Sequence, residues 1–461
     1  MPKPSSRILW LVALVASAAL PLIPVEFWLP KLTMNAEELS TLQPRLPRMT
    51  PPNLPSFFRA TLNGLRRFPL VISPADESVT IDQAAEWIAG HRATVKLWLD
   101  QYGAVLLRGF AVQEAAQFER VASAYTDRLD NVYLGTSPRE PVNGTQFVFT
   151  ASEFEPWKVV PLHCEMSFLP RPPELVFFFA AAMPADMVGG ETPLVDMRAV
   201  AREMGPSVRA SFETNGLRYI RHYPSEKSSH PIDTWDVFKT KPYQKMFAHV
   251  CAPRLPRRPC VVPTGGTRAN RGPCVSDPSS LACHLRQVPS ASENRTAVEV
   301  ESRRQGFEPS WGARGILKLT HEMDAFRMHP STGELIWHNH LSVLHSASWA
   351  DEFAYAAHHL KSVPYALISY LFYALDALMH FAVGAEALGQ HVTHRNGAPI
   401  TSEHVWHARR LMWRHMSISP WQQGDIIIID NYRIAHARMP FVASGPRRLW
   451  AIWTKPPAAM E

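Results

Sequence analysis

Cysteine is scarce in this chain, five residues in 461, and none of it forms a Cys-x-x-Cys knuckle, which argues against a zinc module. Charge of one sign is scarce as well. A formal net charge of +6 is slight for this length, and no basic run is interleaved with aromatics, so the chain does not read as a nucleic-acid binder. Glycine (22) is outnumbered by proline (41), a balance that suggests many loops and stiff connections. Long apolar runs are missing outside the N-terminus. The run Tyr365–Leu375 stops at Asp376 and resumes as Ala377–Val383, too short on either side to span a bilayer. It reads as a buried or lid helix, with a membrane-contacting helix near a substrate entrance as the second reading. What is present is apolar substance: 46% hydrophobic residues are ample for one large core.

The two ends of the charge pattern differ. Met1–Arg7 carries Lys3 and Arg7 and no acid, and Ile8–Ile23 follows without a charge. Residues 1–32 therefore read as a signal peptide, with Ala16-Ser17-Ala18 as the cleavage site, or as a signal anchor. Extending the run to Leu29 tolerates only Glu26 and approaches the ~20 residues that cross a bilayer. A membrane-anchored or secretory-pathway address follows, and a cytoplasmic one fits less well. An apolar helix packed on the domain is the plainer alternative. Four of the five cysteines, Cys251, Cys260, Cys274 and Cys283, fall at or within a Pro-, Arg-, Ser- and Gly-rich stretch, about 252–302, that has no period and reads as a largely disordered insertion. In an oxidising lumen these cysteines would allow disulfides, and the sequons at Asn143 and Asn294 would matter.

Chemistry concentrates in Pro161-Leu162-His163-Cys164-Glu165-Met166-Ser167-Phe168. A strand sends residues i and i+2 to one face, so His163 and Glu165 reach one metal ion while Cys164 points away as a core residue. Far downstream, Gly424–Asn431 reads as a buried strand ending in a turn, and Tyr432-Arg433-Ile434-Ala435-His436 follows. His163, Glu165 and His436 would form a two-histidine, one-carboxylate facial triad, which leaves three positions of an iron ion open. A lone His-x-Glu pair in a chain with 20 histidines is weak on its own, and the companions decide it. Gly189-Gly190-Glu191-Thr192-Pro193 is a glycine turn entering a strand, and Gly445-Pro446-Arg447-Arg448 supplies arginines suited to a small dicarboxylate.

With these pieces the chain resembles the taurine dioxygenase/clavaminate synthase-like group of iron(II)- and 2-oxoglutarate-dependent oxygenases. Further matching blocks are Phe68–Val71, Gly103–Phe110, Leu134–Arg139, Trp337–His340 and His436–Arg438, in the family's order. The resemblance covers roughly residues 65–250 and 305–455, and the stretch at 252–302 interrupts it. It implies a mainly β fold with flanking helices, a distorted double-stranded β-helix (jelly roll) occupying 33–461. It implies Fe(II) held by His163, Glu165 and His436, and 2-oxoglutarate held by Thr192 and one of Arg447 and Arg448, with O₂ as the other cosubstrate. Adjacent strand residues face opposite ways, so only one arginine enters the pocket; the family's habit favours Arg448, and a one-residue bulge would reverse that choice. Glu165 argues against a halogenating variant, which needs an open position in place of the carboxylate. Asn339 stands at the family's usual asparagine, while His338 and His340 depart from it. His404 and His407 read as a solvated helix face.

The expected activity is hydroxylation of an unidentified small-molecule substrate, with lipid-like compounds among the candidates, and release of succinate and CO₂. The competing readings are a catalytically silent, membrane-tethered jelly-roll scaffold and a cupin-like metalloenzyme that does not use 2-oxoglutarate.

Overall fold

The computed structural model describes residues 51, 53–63, 68–135, 137, 139–151, 154–227, 242–246, 294–312, 315–382 and 390–458. The N-terminal segment 1–32, and Cys251, Cys260, Cys274 and Cys283, lie outside the described residues. Two compact units divide the chain: residues 1–221 with 321–461, and residues 222–320. The first carries all the candidate site residues.

That unit is built on an eight-stranded sheet whose centre is the antiparallel set Ala104–Leu107, Ile426–Asp430, Leu175–Ala182 and Arg448–Thr454. Their sequences, AVLL, IIIID, LVFFFAAA and RLWAIWT, are rich in the β-branched and aromatic residues that suit a pleated surface. Alternate residues divide the work. Leu175, Phe177, Phe179, Ile426, Ile428 and Ile452 join a core cluster with residues of the helices Ile81–Gly90, Arg92–Tyr102 and Ala115–Tyr125. The residues between them, such as Val176, Phe178, Ile427 and Ile429, are buried on the opposite face. A second, four-stranded sheet holds Met416–Ser417, Leu194–Asp196, Ile434–Arg438 and Val160–His163 in that order.

Local chemistry sets the joints. Thr80 caps the first helix in a capping box with Gln83, accepting from the Gln83 amide at 3.3 Å while Gln83 accepts from the Thr80 amide at 2.8 Å. Arg92–Tyr102 ends at Gly103, whose φ is +76°; a Cβ there would lie 2.5 Å from Ile434 Cδ1, so only glycine lets the helix turn this close to the strand that carries His436. Asp425, fully buried, accepts from Arg108 Nη2 at 2.6 Å and from the Gln422 amide at 2.8 Å, which fixes the entry to the central strand Ile426–Asp430.

The apolar run on either side of Asp376, read as a buried or lid helix, is one continuous helix, Val363–Ala382. It packs on the helix Ala347–His359 through Phe372 against Phe353 at 5.2 Å and Ser369 Oγ to the Ala350 carbonyl at 2.7 Å. Asp376 is buried within reach of Ser402 Oγ at 3.5 Å. Among the described residues no helix is long and apolar enough to cross a membrane. The helix Ser402–Arg414 buries more than a solvated face would: His404 and His407 are half-buried, and His407 Nε2 accepts from the Gly205 amide at 3.3 Å.

In the second unit, the stretch expected to be irregular to residue 302 is helical at its end, in Arg295–Arg304. Asn294, the sequon asparagine, is that helix's N-cap and accepts from the Thr296 amide at 3.0 Å. The strand Glu308–Trp311 pairs antiparallel with the start of Leu317–Met323, and Trp311 Nε1 donates to Glu299 Oε1 at 2.8 Å.

Candidate metal centre

The strands Val160–His163 and Ile434–Arg438 run antiparallel, with His163 directly opposite His436. Residues paired in this way project to one face, and the two rings stand with centroids 4.5 Å apart. Glu165 joins them by a different device from the expected i, i+2 alternation. The strand ends at His163, Met166 takes a left-handed φ of +52°, and Glu165 lies in the intervening turn. Asn431 pins it there: its Oδ1 accepts from the Glu165 amide at 2.6 Å and its Nδ2 donates to the Glu165 carbonyl at 2.9 Å. A second Nδ2 bond, to the Pro173 carbonyl at 2.9 Å, anchors Asn431 itself.

Asn431 is placed by the turn that follows Ile426–Asp430. Asp430 Oδ1 accepts from the amides of Tyr432 and Arg433 at 3.1 and 3.3 Å, and Asp430 Oδ2 bonds His329 Nε2 at 2.8 Å. Arg433 then grips Asp196 Oδ2 through Nη2 at 2.9 Å and the Asp100 carbonyl through Nη1 at 2.6 Å. Both ends of the loop between the central strand and the His436 strand are thus fixed.

All three triad residues are buried, and one ligand atom from each lies within 4.8 Å of the others. Among the described residues this is the group of histidine, cysteine and carboxylate side chains close enough to share one ion. The donors are in states that suit a metal. His163 Nδ1 donates to the Pro161 carbonyl at 2.7 Å, which leaves the Nε2 lone pair free. Burial, with His436 alongside, pushes the His163 imidazole down to about 4, so it is neutral near pH 7. Burial opposes the charge on Glu165, yet the Arg139 guanidinium and the bond from His436 hold its carboxyl well below the usual range. Arg139 Nη2 donates to Glu165 Oε2 at 2.6 Å, and His436 Nε2 is 3.7 Å from the same oxygen. His436 Nδ1 is buried without a hydrogen-bond partner among the described residues, so of the two histidines only His163 has an orienting acceptor there. Cys164 is fully buried, outside the donor set, and burial pushes its thiol up.

His340 closes one side, its ring edge-on to His163 at 5.3 Å and its Nδ1 3.0 Å from Ser167 Oγ. Its amide donates to Tyr219 Oη at 2.8 Å. Phe178 lies against His436 at 5.0 Å. His338 stacks on Tyr432 at 4.9 Å, and Asn339 spends its amide on the Ala325 carbonyl and the Leu341 amide, at 2.9 and 3.0 Å. His338 and Asn339 therefore shape the segment.

Of the arginine pair, Arg447 is the one turned inward, and Arg448 is exposed. The expectation for Arg448 is reversed by strand phase. Arg448 is in step with Trp450 and Ile452, which pack toward the helices, whereas Arg447 is in step with Leu449, Ala451 and Trp453. The pairing with Leu175–Ala182 also shifts register between Arg448 and Leu449, the irregularity that made the choice sensitive. Arg447 donates to the Gly190 carbonyl from Nε at 3.0 Å and from Nη2 at 2.7 Å. Gly190 has φ +77°, and a Cβ there would meet Arg447 Nε at 3.1 Å, which accounts for glycine in this turn. Burial, with Arg438 adding repulsion and Glu191 opposing them, pushes Arg447 down to about 9. Thr192, two residues beyond Gly190, is half-buried and accepts from Trp421 Nε1 at 3.0 Å. Trp421, Asn431 and Arg139 had no assigned role in the sequence reading. Asn431 and Arg139 do fall inside blocks that carry the family resemblance, and that was the available signal.

The profile of the taurine catabolism dioxygenase TauD, TfdA family matches residues 66–453. The dapdiamide synthesis protein DdaC of Enterobacter agglomerans is 22% identical over 364 residues, 79% of this chain and 86% of that protein. A clavaminate synthase-like protein of Arabidopsis thaliana is 24% identical over 394 residues, 83% of this chain and 92% of that one. The solved structure of PvcB from Pseudomonas aeruginosa aligns with a TM-score of 0.42 at 14% identity, over 88% of this chain and 95% of that one, a likeness too distant to add weight. The chain belongs to the TauD/TfdA dioxygenase family and, with it, to the enzymes that use iron(II) and 2-oxoglutarate.

Proposed function

We propose that this dioxygenase hydroxylates a small-molecule substrate, with release of succinate and CO₂. The observation that carries the proposal is the buried triad: two histidine nitrogen donors facing each other across paired strands and one ionised carboxylate, all within reach of one ion. When bound, iron(II) and 2-oxoglutarate supply the oxidising chemistry with dioxygen; the residues of this chain bind, orient and exclude water. His163, Glu165 and His436 would hold the iron. Arg447 would take the distal carboxylate of 2-oxoglutarate, because its guanidinium is turned inward and hydrogen-bonds only a neutral acceptor, the Gly190 carbonyl, in the described structure, with Glu191 as the carboxylate that acts on it through charge. Thr192 would assist through its hydroxyl, oriented by Trp421. Phe178 and Phe168 supply apolar wall beside His436 and His340, at 5.0 and 5.1 Å, which limits water around the ion.

The same reading takes the eight-stranded and four-stranded sheets as the two faces of a distorted double-stranded β-helix. The membrane or secretory address rests on residues 1–32, and the lipid-like substrate on that segment together with a membrane-contacting reading of the apolar helix Val363–Ala382; fractionation of cells expressing the full chain, with and without residues 1–32, tests the address. The activity is tested by incubating the full chain with iron(II), labelled 2-oxoglutarate and air. Labelled succinate and CO₂ in equal amounts, and a product one oxygen atom heavier from a screened substrate, support it. Iron-loaded, folded protein that leaves 2-oxoglutarate intact under every substrate would favour a metalloenzyme of another kind, and protein that binds no iron would favour a silent scaffold.

A further inference from the structure

Arg139 is the least expected residue at this centre. It is buried at 6% exposure, and its Nη2 donates to Glu165 Oε2 at 2.6 Å, the oxygen that also lies 3.7 Å from His436 Nε2. The guanidinium overlies the Tyr133 ring at 4.7 Å and the Trp453 ring at 5.6 Å, so it is clamped by packing as well as by charge. Glu165 is clamped from its other end by the Asn431 pair of backbone bonds. A metal-ligating carboxylate held at its backbone and tied at one oxygen has little freedom left.

We propose that Arg139 is a positioning residue for the metal centre: by tying Glu165 it keeps this ligand monodentate, and by its charge it prepares the site for a dianionic keto acid. Two physical arguments support this, both resting on the iron/2-oxoglutarate reading above. The first concerns coordination. A facial triad leaves three positions, of which a chelating keto acid takes two and dioxygen needs the last. A glutamate side chain is long enough to chelate with both oxygens and would then remove the position that dioxygen needs. A charge-assisted bond from Arg139 occupies an acceptor site of the carboxylate and opposes that rearrangement. The second argument concerns charge. Glu165 cancels part of the ion's charge, and Arg139 restores it, so the loaded site presents its full positive charge to 2-oxoglutarate. The cost falls on metal binding, since the guanidinium also repels the ion and weakens Glu165 as a donor. A residue that merely stiffened the fold would not separate the two affinities in opposite directions.

The test uses the full chain loaded with cobalt(II) under anaerobic conditions, whose visible spectrum reports coordination number. Arg139→Met removes charge and donor while keeping apolar bulk; Arg139→Lys keeps the charge but loses the planar fork. Arg139→Met is expected to bind cobalt(II) at least as tightly as the parent, with a spectrum shifted to the weaker bands of a higher coordination number. Its affinity for 2-oxoglutarate is expected to fall by about tenfold or more, the scale of one lost charge-assisted interaction. Arg139→Lys should recover most of the 2-oxoglutarate affinity without recovering the parent spectrum. The proposal is overturned by a spectrum and affinities that do not change, or by joint loss of cobalt(II) and 2-oxoglutarate in folded protein, which marks a structural role. Should Arg139→Met fail to fold, Arg139→Lys decides alone, and an unchanged spectrum there overturns it. A parent protein that binds cobalt(II) but not 2-oxoglutarate sinks the cofactor reading instead, while the spectral comparison still judges Arg139.

Discussion

Two regions of this molecule bury arginine beside carboxylates, and they treat it in opposite ways. In the helical layer, Arg409 is saturated: Nε donates to Asp351 Oδ2 at 3.1 Å, Nη1 to the Ser342 carbonyl at 3.3 Å, and Nη2 to Glu352 Oε1. Tyr373 Oη donates to the remaining Asp351 oxygen at 2.6 Å. At the metal centre the arginines are under-used. Among the described residues, Arg139 gives Nη2 to Glu165 and also interacts with Tyr133, with Nε and Nη1 finding no acceptor in ordinary geometry, while Arg447 hydrogen-bonds the Gly190 carbonyl with Glu191 acting on it through charge. Burying charge is costly unless it is paired and hydrogen-bonded. A saturated cluster explains itself as structure. An unsaturated one, next to three converging donors, makes sense as a place completed by a ligand.

The sharpest way to break this contrast is to remove the donors. His163→Ala or His436→Ala is expected to abolish stoichiometric iron or cobalt binding with the fold retained; metal content by elemental analysis checks it, and full loading of either variant would remove the triad. Next in size is the saturated cluster. Arg409→Met leaves two buried acids unpaired and should cost about 3–5 kcal/mol of stability, read as a lower urea midpoint. It should leave 2-oxoglutarate affinity unchanged in protein that remains folded, and a large loss there would mean the two clusters are not separate in function.

Third, Arg447→Ala should weaken 2-oxoglutarate binding by about 1.5–3 kcal/mol, the worth of a hydrogen bond to a charged group, while Arg448→Ala stays within about twofold. Equal effects would mean that strand phase does not decide which arginine meets the cosubstrate. The smallest effect per residue is a pH slope. Burial lowers His163, His338 and His340 below the ordinary histidine value, with His163 at about 4. The unfolded chain then binds more protons below pH 6.5, so the stability these groups contribute is present above that value and is lost as pH falls toward 4. Metal-free protein should lose about 1 kcal/mol per histidine between pH 7.5 and pH 5.5. A flat urea midpoint across that range would show that these histidines are not held neutral.

Much of this was legible in the sequence because the chemistry is local in sequence there. His163 and Glu165 sit in one short motif, and Ile426–Ile429 announces a buried strand two turns of logic before His436. The order of blocks was enough to identify the family. The arginine choice was not legible, for a reason of phase: after Arg448 the residues Leu449, Trp450, Ala451, Ile452 and Trp453 are all apolar, since the strand is covered on both faces, and alternation leaves no mark. Arg139 and Asn431 lie in the recognised blocks, but their roles were not legible, for a reason of distance. Their bonds to Glu165 span 26 and 266 residues of chain, and nothing in a single sequence pairs such positions. The helix across Asp376 was legible from its apolar composition, and it tolerates one buried acid because tertiary packing supplies the stability.

The central claim is that the triad and Arg447 assemble one site for iron(II) and 2-oxoglutarate. Anaerobic titration of the full chain with iron(II) and then 2-oxoglutarate tests it most directly, by the weak visible charge-transfer band of the chelate. The account predicts a band that needs both components, vanishes in His436→Ala and requires much more 2-oxoglutarate in Arg447→Ala. Folded, iron-loaded protein that develops no band, or a band indifferent to Arg447, would contradict it.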